Sequence, residues 1–352
     1  MTIAVIGAGA IGCVVAGYLS QAGQPACSPR GEAEGRQGRD VLLVGRPDQV
    51  KAIKTNGLTI NGARGSANIR VRTVPRLDQP YDLVIFTVKT QDLEKAFQDN
   101  SEYLGTGLVL TSQNGVQADH LLSGHFDRSR QMSGIVMFGA TYVKPGEVTF
   151  NFEGDWIIGR PLTPLDATAH QVGEVLGKAF KVVMSPDIMG MKYLKLFVNF
   201  NNCIPALIGK SMQETFADLD LCRLSMMLLK EGLDIVRHAK IEMVSMPDFP
   251  KEKILGLAGM PLEQGAAIIN KTLTGLSKEP LYGSILQSIL RGKTSEIEFI
   301  NGEVVHLAKH LHFNAPLNER VVNMVHEAER TGKFFSATDV KNAFSIKSME
   351  AV

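Results

Sequence analysis

The sequence has few cysteines and no long hydrophobic run. Its four cysteines, Cys13, Cys27, Cys203 and Cys222, form no CxxC pair. This excludes zinc-finger and iron–sulfur proteins and leads us to expect reduced thiols in a cytoplasm. No apolar run reaches the roughly 20 residues that a membrane-spanning helix needs. The N-terminus starts with an apolar strand instead of a signal peptide, so we expect a cytoplasmic protein that does not bind a membrane.

The chain also lacks an excess of charge of either sign. Lysine and arginine number 37 against 36 aspartates and glutamates, a formal net charge of +1. A nucleic-acid-binding protein is therefore not expected, because such proteins carry a basic excess. Hydrophobic residues make up 44% of the chain, which is enough for a sizeable core. We expect a small-molecule partner, and a homodimer stays open.

The first half of the chain alternates strands and helices. Short, almost wholly apolar runs are typical of parallel strands buried on both faces. Such runs lie at residues 2–6, 40–44, 82–88 and 108–111, and helical patterns lie at 10–22 and 90–98. Residues 24–39 are rich in turn formers and predict a surface loop. Residues 132–159, with Pro145-Gly146, predict an antiparallel extension of the sheet with hairpin turns.

Long helical patterns replace the strand signals after about residue 186. They cover residues 188–208, 214–240, 262–275, 284–291, 295–311 and 316–330. The tail from about 337 has little periodicity. We predict an α/β fold in which a Rossmann-type parallel-sheet domain (1–186) with an antiparallel extension precedes an all-helical domain (187–352). The first domain is expected to bind a cofactor and the second a substrate.

A glycine-rich motif directly follows the first strand and opens the first helix. Residues 7–12 have the GxGxxG pattern. Gly7 allows a tight turn, Gly9 lets the backbone approach a pyrophosphate, and Gly12 permits close packing of the helix on the strand. We predict a dinucleotide bound at the helix N-terminus by Gly7, Ala8, Gly9, Ala10, Ile11 and Gly12. A glycine-rich turn with a purely structural role is the alternative.

The end of the second strand indicates which dinucleotide is bound. The strand reads DVLLVGR and ends in Arg46, with no acidic residue to bind a ribose. Glu32 and Glu34 have the sequence spacing of such an acid, but they precede the strand, inside the predicted loop. A guanidinium can pair with a 2′-phosphate through two hydrogen bonds, so we predict NADPH/NADP+. A solvated arginine is the alternative.

Polar residues also mark the predicted ligand edge and one helix face. Lys89 and Asn114 each follow a strand, at the edge where open α/β sheets bind ligands. Lys195, Asn199 and Asn202 are spaced i, i+4 and i+7 on an apolar helix, which places them on one face. Buried polar groups need partners, so this stripe predicts a ligand or a polar network. The alternatives are that Lys89 is a surface lysine, that Asn114 is part of an Asn-Gly turn, and that Lys195 reaches solvent from the helix.

Over nearly its whole length the chain resembles the ketopantoate reductase (2-dehydropantoate 2-reductase) family. Besides GAGAIG at 7–12 and Arg46, the similarity rests on five motifs. These are TVKTQD at 87–92, SQNGV at 112–116, FGATYVKPGEV at 138–148, KYLKLFVN at 192–199 and SILQSILRGKTSEIEFINGEVV at 284–305. The resemblance implies that NADPH binds the first domain, that the second is helical, and that the substrate lies between them.

The resemblance also implies the roles of single residues. Lys195 is the proton donor, because a partly desolvated lysine can act as a general acid. Asn199 faces the substrate and Ser284 binds its carboxylate. Glu296 accepts from the substrate hydroxyl, which selects a hydroxylated 2-oxo acid. The cofactor contacts beyond the glycine motif are Arg46, Lys89, Asn114, Ala140 and Glu296, and Asn114 also contacts the substrate.

Two positions depart from the family pattern. Cys203 stands where the family has a second asparagine, and Asn202, one position earlier, is predicted to take that role. Cys203→Asn is therefore expected to be tolerated. Ser288 replaces an aspartate in the SILQS segment. These changes put the substrate specificity in question, and not the reaction type.

The implied activity is the NADPH-dependent reduction of 2-dehydropantoate to (R)-pantoate, in the synthesis of pantothenate and coenzyme A. Hydride goes to C2 of the substrate and Lys195 supplies the proton. One alternative is a reductase of the same architecture that acts on a different 2-oxo acid. Another is a non-catalytic NADP(H)-binding protein, which would have no need of Lys195, Asn199, Ser284 and Glu296 together.

Three histidines near a helix end do not predict a metal site. His306 and His310 have the i, i+4 spacing of metal ligands and His312 follows, but no glutamate follows His306 and no third ligand is evident. Helix C-termini favour histidine through the helix dipole. We predict no metal, and we expect Glu298 to be a helix-surface residue.

Overall fold

The computed structural model describes residues 1–22 and 40–346, and the predicted loop at 24–39 lies outside them. The chain forms two compact units. The first contains residues 1–113 and 117–188, and the second contains residues 114–116 and the chain from Met189 onward. The division after Ile188 falls two residues beyond the boundary expected after residue 186. No helix in the described ranges is long and apolar enough to span a membrane.

A mostly parallel sheet of eight strands forms the centre of the first unit. The strands of this unit are β1 (Ile3–Ile6), β2 (Val41–Val44), β3 (Leu58–Gly62), β4 (Ala67–Ile69), β5 (Arg72–Val74), β6 (Leu83–Phe86), β7 (Leu108–Thr111), β8 (Gln131–Val136), β9 (Gly139–Lys144), β10 (Glu147–Phe152), β11 (Trp156–Gly159) and β12 (Val182–Ser185). The main sheet has the order β12-β11-β8-β7-β6-β1-β2-β5. All its neighbouring strands are parallel except β8 and β11. The predicted Rossmann-type sheet is confirmed.

Helices cover both faces of this sheet. They are α1 (Ala10–Gln21), α2 (Pro47–Asn56), α3 (Thr90–Gln98), α4 (Gln117–Ser123) and α5 (Ala167–Leu176). Because side chains alternate along a strand, Ile3 and Val5 of β1 join the core beneath α1, whereas Ala4 and Ile6 join the core beneath α3 and α4. Burial on both faces explains why these strands are apolar throughout.

The antiparallel pair of β8 and β11 extends the main sheet as predicted, whereas the hairpin around Pro145-Gly146 between them does not. Strands β9 and β10 are antiparallel as predicted, and Gly146 at their turn has φ +79°. They belong to a second sheet of order β4-β3-β10-β9, in which β10 pairs parallel with β3. This sheet packs on α1, where the rings of Tyr18 and Phe150 meet edge to face at 5.5 Å. The sequence interpretation missed β3. This strand pairs with β10 and thereby places the hairpin in the second sheet.

The second unit is helical. Its helices are α6 (Ile188–Asn199), α7 (Cys203–Ile208), α8 (Met212–Phe216), α9 (Leu219–His238), α10 (Lys251–Gly259), α11 (Leu262–Thr274), α12 (Ser284–Leu290), α13 (Asn301–His310), α14 (Pro316–Thr331) and α15 (Ala337–Ala343). The region from 337, expected to be irregular, begins with α15. A capping box of Ser336 and Asp339 starts this helix, and Lys341 forms an ion pair with Asp218 at 3.0 Å.

Candidate functional site

The glycine motif forms a turn whose shape depends on its glycines. Gly7 has φ +120°, and a Cβ on it would lie 2.7 Å from the amide nitrogen of Val88. A Cβ on Gly12 would lie 1.9 Å from the carbonyl oxygen of Gly7. A Cβ on Gly9, in contrast, would meet nothing within 4 Å, and the first turn of α1 has no acidic residue. The open N-terminus of α1 therefore fits an anionic group such as a pyrophosphate.

Two side chains hold this turn by its carbonyl groups. The hydroxyl of Thr87 donates to the carbonyl of Gly7 at 2.9 Å, and the buried amide of Gln49 donates to the carbonyl of Ala8 at 2.7 Å. Because these bonds lie within the protein, the turn keeps its shape before any ligand binds. The sequence interpretation assigned neither residue a role. Thr87 lies inside a recognised motif, but the contact of Gln49 with a residue 41 positions away leaves no local signal.

Arg46 lies next to the glycine turn. Strands β1 and β2 end in register, and a Cβ on Gly45 would lie 2.7 Å from the Cβ of Ala8. The side chain of Arg46 is 60% exposed, and its Nε is 3.6 Å from a carboxylate oxygen of Asp48. An exposed pair of this length contributes little free energy. The guanidinium is thus available to an anionic ligand at this edge.

Lys89 lies at the same carboxyl edge of the sheet as the glycine turn. It is the N-cap residue of α3 and stands three residues after the end of β6, which is in register with β1. Buried Gln113 braces this edge by donating to the carbonyls of Phe86 at 3.0 Å and Val88 at 2.9 Å. Ala140 does not belong to the main sheet. It lies in β9 of the small sheet, where it packs on the core beneath α1.

Lys195 is partly buried on α6. Burial lowers the pKa of its ammonium from the ordinary value to about 8. In the described part of the chain this ammonium makes no hydrogen bond or ion pair. A lysine with these properties is able to release its proton near neutral pH. Lys192, three residues earlier, is almost fully buried and is engaged in a polar interaction of its own.

Asn199 meets Asn114 although 85 residues separate them. The side-chain Nδ2 of Asn199 donates to Oδ1 of Asn114 at 3.3 Å. Both residues belong to the second unit, because the short segment 114–116 leaves the sheet unit and packs with the helices. The pair keeps further donors and an acceptor for a ligand, since each amide offers two N–H groups and one carbonyl oxygen.

A short 3₁₀ turn at Phe200–Asn202 interrupts the helix predicted over 188–208. A 3₁₀ helix has about 3.0 residues per turn, so residues i and i+3 eclipse each other. The side chain of Asn202 therefore leaves the helix axis on nearly the same side as that of Asn199. Cys203 turns into the core, where it is fully buried and its thiol donates to the carbonyl of Phe200 at 3.1 Å. The position of the family's second asparagine thus faces the core in this chain.

Asn202 lies against the start of α12. A Cβ on Gly283, the N-cap residue, would lie 2.7 Å from Oδ1 of Asn202. Ser284 follows as the first residue of α12 and is exposed. Ser288, which replaces the family's aspartate, is buried and donates back to the carbonyl of Ser284 at 2.9 Å. Its hydroxyl therefore bonds its own helix.

Glu296 is partly buried and engaged in a polar interaction within the protein. It is the N-cap residue of a 3₁₀ turn at Ile297–Phe299. Gly115 has φ +77°, and a Cβ on it would lie 2.3 Å from the carbonyl oxygen of Phe299. The turn that carries Asn114 therefore packs directly on the turn that follows Glu296.

These contacts bring the predicted substrate residues together within the second unit. Asn114 bonds Asn199, the turns next to Asn114 and Glu296 touch, and Asn202 contacts the residue before Ser284. Lys195 lies about one helical turn before Asn199 on α6. The cluster combines a cation of lowered pKa, amides, a hydroxyl and a carboxylate. Together they are able to bind a polar, acidic molecule and to transfer a proton to it.

The histidines around α13 have contacts that the sequence interpretation missed. Nε2 of His306 is 3.0 Å from Oε1 of Glu298. Glu298, expected to be an uninvolved surface residue, is therefore part of a network. Within residues 1–22 and 40–346, no group of three or more histidine, cysteine, aspartate or glutamate side chains is arranged to hold a metal ion.

A dinucleotide-type glycine turn on a doubly wound sheet, followed by a helical unit with a lysine of lowered pKa, is the arrangement of an oxidoreductase. Residues 3–162 match the family described as ketopantoate reductase PanE/ApbA. Residues 187–329 match the family described as ketopantoate reductase PanE/ApbA C terminal. The chain belongs to the ketopantoate reductase family.

The similar proteins extend over nearly the full length of the chain. The 2-dehydropantoate 2-reductase of Pyrococcus horikoshii is 29% identical over 338 residues, which cover 94% of this chain and 99% of that protein. A PanE/ApbA family ketopantoate reductase from Ralstonia eutropha JMP134 has a TM-score of 0.76 at 23% identity, covering 94% and 99%. D-mandelate dehydrogenase, solved with NADH and anilino(oxo)acetate, has a TM-score of 0.77 at 21% identity, again covering 94% and 99%. At such identities the solved structures show a shared fold.

Proposed function

We propose that the protein reduces 2-dehydropantoate to (R)-pantoate with NADPH. The observation that carries this proposal is Lys195, whose ammonium has a pKa lowered to about 8 by burial and which stands one helical turn before Asn199, the partner of Asn114. A ketone that accepts a hydride becomes an alkoxide and must gain a proton, which Lys195 would supply. The relatives named 2-dehydropantoate 2-reductase, at 24–29% identity, support the choice of substrate.

The residues of the first unit fit the proposed cofactor. The space over Gly9 suits the pyrophosphate, and the exposed guanidinium of Arg46 suits a 2′-phosphate. Bound NADPH would supply the hydride to C2 of the 2-oxo acid. The further residues that we assign to cofactor binding are Lys89 and Ala140 of the first unit and Asn114 and Glu296 of the second unit.

The residues of the second unit suit the proposed substrate. The exposed hydroxyl of Ser284 would donate to the substrate carboxylate, and the carboxylate of Glu296 would accept from the substrate hydroxyl. Asn199 and Asn202 would orient the 2-oxo group with their amides. Lys195 would hold its proton until the oxygen at C2 becomes basic, and would then transfer it to that atom.

The decisive experiment follows NADPH and NADH oxidation in parallel with a panel of 2-oxo acids. The panel contains 2-dehydropantoate, its analogue without the hydroxyl, and an aryl 2-oxo acid. We expect the highest kcat/KM for NADPH with 2-dehydropantoate. A preference for NADH would contradict the cofactor assignment, and the absence of turnover with every 2-oxo acid would contradict the proposed activity.

Reduction of a different 2-oxo acid is the second candidate. It is favoured by two side chains that do not follow the family pattern, since Cys203 is buried in the core and Ser288 bonds its own helix. D-mandelate dehydrogenase, which shares the fold, was solved with anilino(oxo)acetate, a 2-oxo acid with an aromatic substituent. A higher kcat/KM for the aryl acid, or for the analogue without the hydroxyl, would support this candidate over 2-dehydropantoate.

A further inference from the structure

Two carboxylates and one imidazole enclose the segment that carries Glu296. Before this residue, the backbone N–H of Ser295 donates to Oε1 of Glu329 at 2.7 Å. The other oxygen of Glu329 is 3.0 Å from Nδ1 of His326. After it, Oε2 of Glu298 is 3.0 Å from Nε2 of the same His326. The imidazole therefore connects both ends of the segment 295–298, with Glu296 inside the closed ring of contacts.

The protonation state of His326 decides whether this ring is closed. An ionised carboxylate only accepts hydrogen bonds, and a neutral imidazole has a single N–H. Because both ring nitrogens face carboxylate oxygens, both contacts are hydrogen bonds only in the imidazolium form. Glu298 and Glu329 are the charged groups that face His326 in the described ranges, and His306 faces Glu298 from α13.

The electrostatics of the network agree with this geometry. Burial pushes the pKa of His326 down, but the hydrogen bonds and charges of Glu298 and Glu329 outweigh it and leave the pKa above its ordinary value. Burial pushes the pKa of Glu298 up, but His326 and His306 outweigh it and leave that pKa below its ordinary value. Each partner therefore stabilises the charged form of the other.

Besides this bridge, the turn is held by the burial of Ile297 and by the close approach of Gly115 to Phe299. It is a single 3₁₀ turn in which the amide of Ile297 donates to the hydroxyl of Ser295 at 3.2 Å and the amide of Phe299 donates to the carbonyl of Glu296 at 3.0 Å. A turn this short is held mainly by contacts with its neighbours. Weakening the contacts of His326 with Glu298 and Glu329 would therefore loosen the backbone of Glu296.

We propose that His326 is a positioning residue for Glu296, because its imidazolium bridges Glu298 and Glu329 and so fixes the turn from which Glu296 reaches the substrate hydroxyl. The part about the substrate rests on the proposed function, whereas the restraint of the turn does not. The bridge is complete below the pKa of His326 and loses one hydrogen bond as the pH rises through it. We therefore expect KM for the 2-oxo acid to rise on the alkaline side.

Three variants of the full chain test the proposal by steady-state kinetics. His326→Leu removes both hydrogen bonds of the bridge and should raise KM for the 2-oxo acid about five-fold or more, with kcat nearly unchanged. His326→Arg donates to both carboxylates at every pH, so it should keep the low KM and abolish its alkaline rise. His310→Gln, at an exposed histidine on α13, is the control and should match the wild type.

Hydrogen exchange of peptides covering residues 295–299 supplies a readout that needs no turnover. After correction for intrinsic rates, exchange should be faster in His326→Leu, unchanged in His326→Arg, and faster in the wild type at alkaline pH. If His326→Leu does not fold, His326→Gln, which has a single donor nitrogen in place of the two ring nitrogens, replaces it. Unchanged exchange, or faster exchange with an unchanged KM, overturns the positioning role. Absence of wild-type turnover with altered exchange overturns the proposed function and leaves the restraint of the turn established.

Discussion

Lys195 owes its proposed chemistry to its surroundings. Burial lowers its pKa to about 8, and no partner in the described ranges competes for its proton. Lys195→Ala is expected to reduce kcat by about 10²–10⁴-fold, the usual contribution of a positioned general acid. The Kd of NADPH, measured by fluorescence titration, should stay unchanged because Lys195 is not among the residues assigned to cofactor binding.

The pH profile of kcat checks the same assignment independently. A general acid must carry its proton, so kcat should fall as the pH rises through about 8, where Lys195 deprotonates. This alkaline limb should be absent from Lys195→Ala. Exposed Lys210→Ala is the matched control, since buried Lys192 is unsuitable. Near-normal kcat in Lys195→Ala would assign Lys195 a structural role.

Arg46 decides the cofactor preference if its guanidinium binds a 2′-phosphate. Its exposed pair with Asp48 is weak, so little competes with the ligand. A charge-assisted hydrogen bond contributes about 1.5–3 kcal/mol. Arg46→Ala should therefore weaken NADPH binding about ten-fold or more and leave NADH binding nearly unchanged, as measured by titration with each cofactor. The control is Arg70→Ala, and equal losses for both cofactors would contradict the assignment.

At the scale of the element, the 3₁₀ turn at Phe200–Asn202 reverses one expectation. Cys203 is fully buried, so Cys203→Asn places an amide in the core and should lower stability by about 1–3 kcal/mol, visible as a lower Tm. The sequence alone predicted that this change is tolerated. Asn202→Ala should instead raise KM for the 2-oxo acid about five-fold and leave NADPH binding unchanged. A silent Asn202→Ala would remove Asn202 from the substrate site.

The turn at Gly115 links the loop of Asn114 to the turn after Glu296. Gly115→Ala requires a side chain at φ +77° and 2.3 Å from the carbonyl of Phe299. The cost of such strain is about 1–3 kcal/mol, and we expect a lower Tm together with a higher KM for the 2-oxo acid. Gly124→Ala, where a Cβ meets nothing within 4 Å, is the control. A normal KM in Gly115→Ala would mean that the two turns act independently.

At the scale of the whole molecule, the sequence predicted the architecture better than the contacts of the site. The apolar strands around Ile3–Ile6 and the helical second half follow from periodicity, which is a local property. The membership of β9 and β10 in a second sheet depends on β3, a strand of five residues that the sequence interpretation did not assign although its apolar and polar residues alternate. Gln49, Gln113 and the Asn199–Asn114 pair depend on contacts between residues far apart in sequence. Such contacts leave no periodic pattern, and only the fold reveals them.

The cysteines allow a prediction for the whole molecule. Cys13, Cys203 and Cys222 are buried without disulfides, and burial is the main reason that the pKa of each thiol rises to about 12. Thiols that remain protonated react slowly with alkylating agents. We expect these three to stay unmodified by iodoacetamide in the native protein and to react after denaturation, as mapped by mass spectrometry. Rapid native labelling of Cys203 would contradict its burial.

The segment 114–116, which packs with the helices, has a consequence for recombination between related genes. The helical unit is not encoded by one uninterrupted stretch, since one of its asparagines comes from the middle of the sheet-coding half. A chimera that exchanges only the sequence after residue 188 with that of a relative would pair the donor's helix with the host's Asn114. Successful exchanges should therefore be those in which the two parents agree at residues 114–116, whatever their overall divergence.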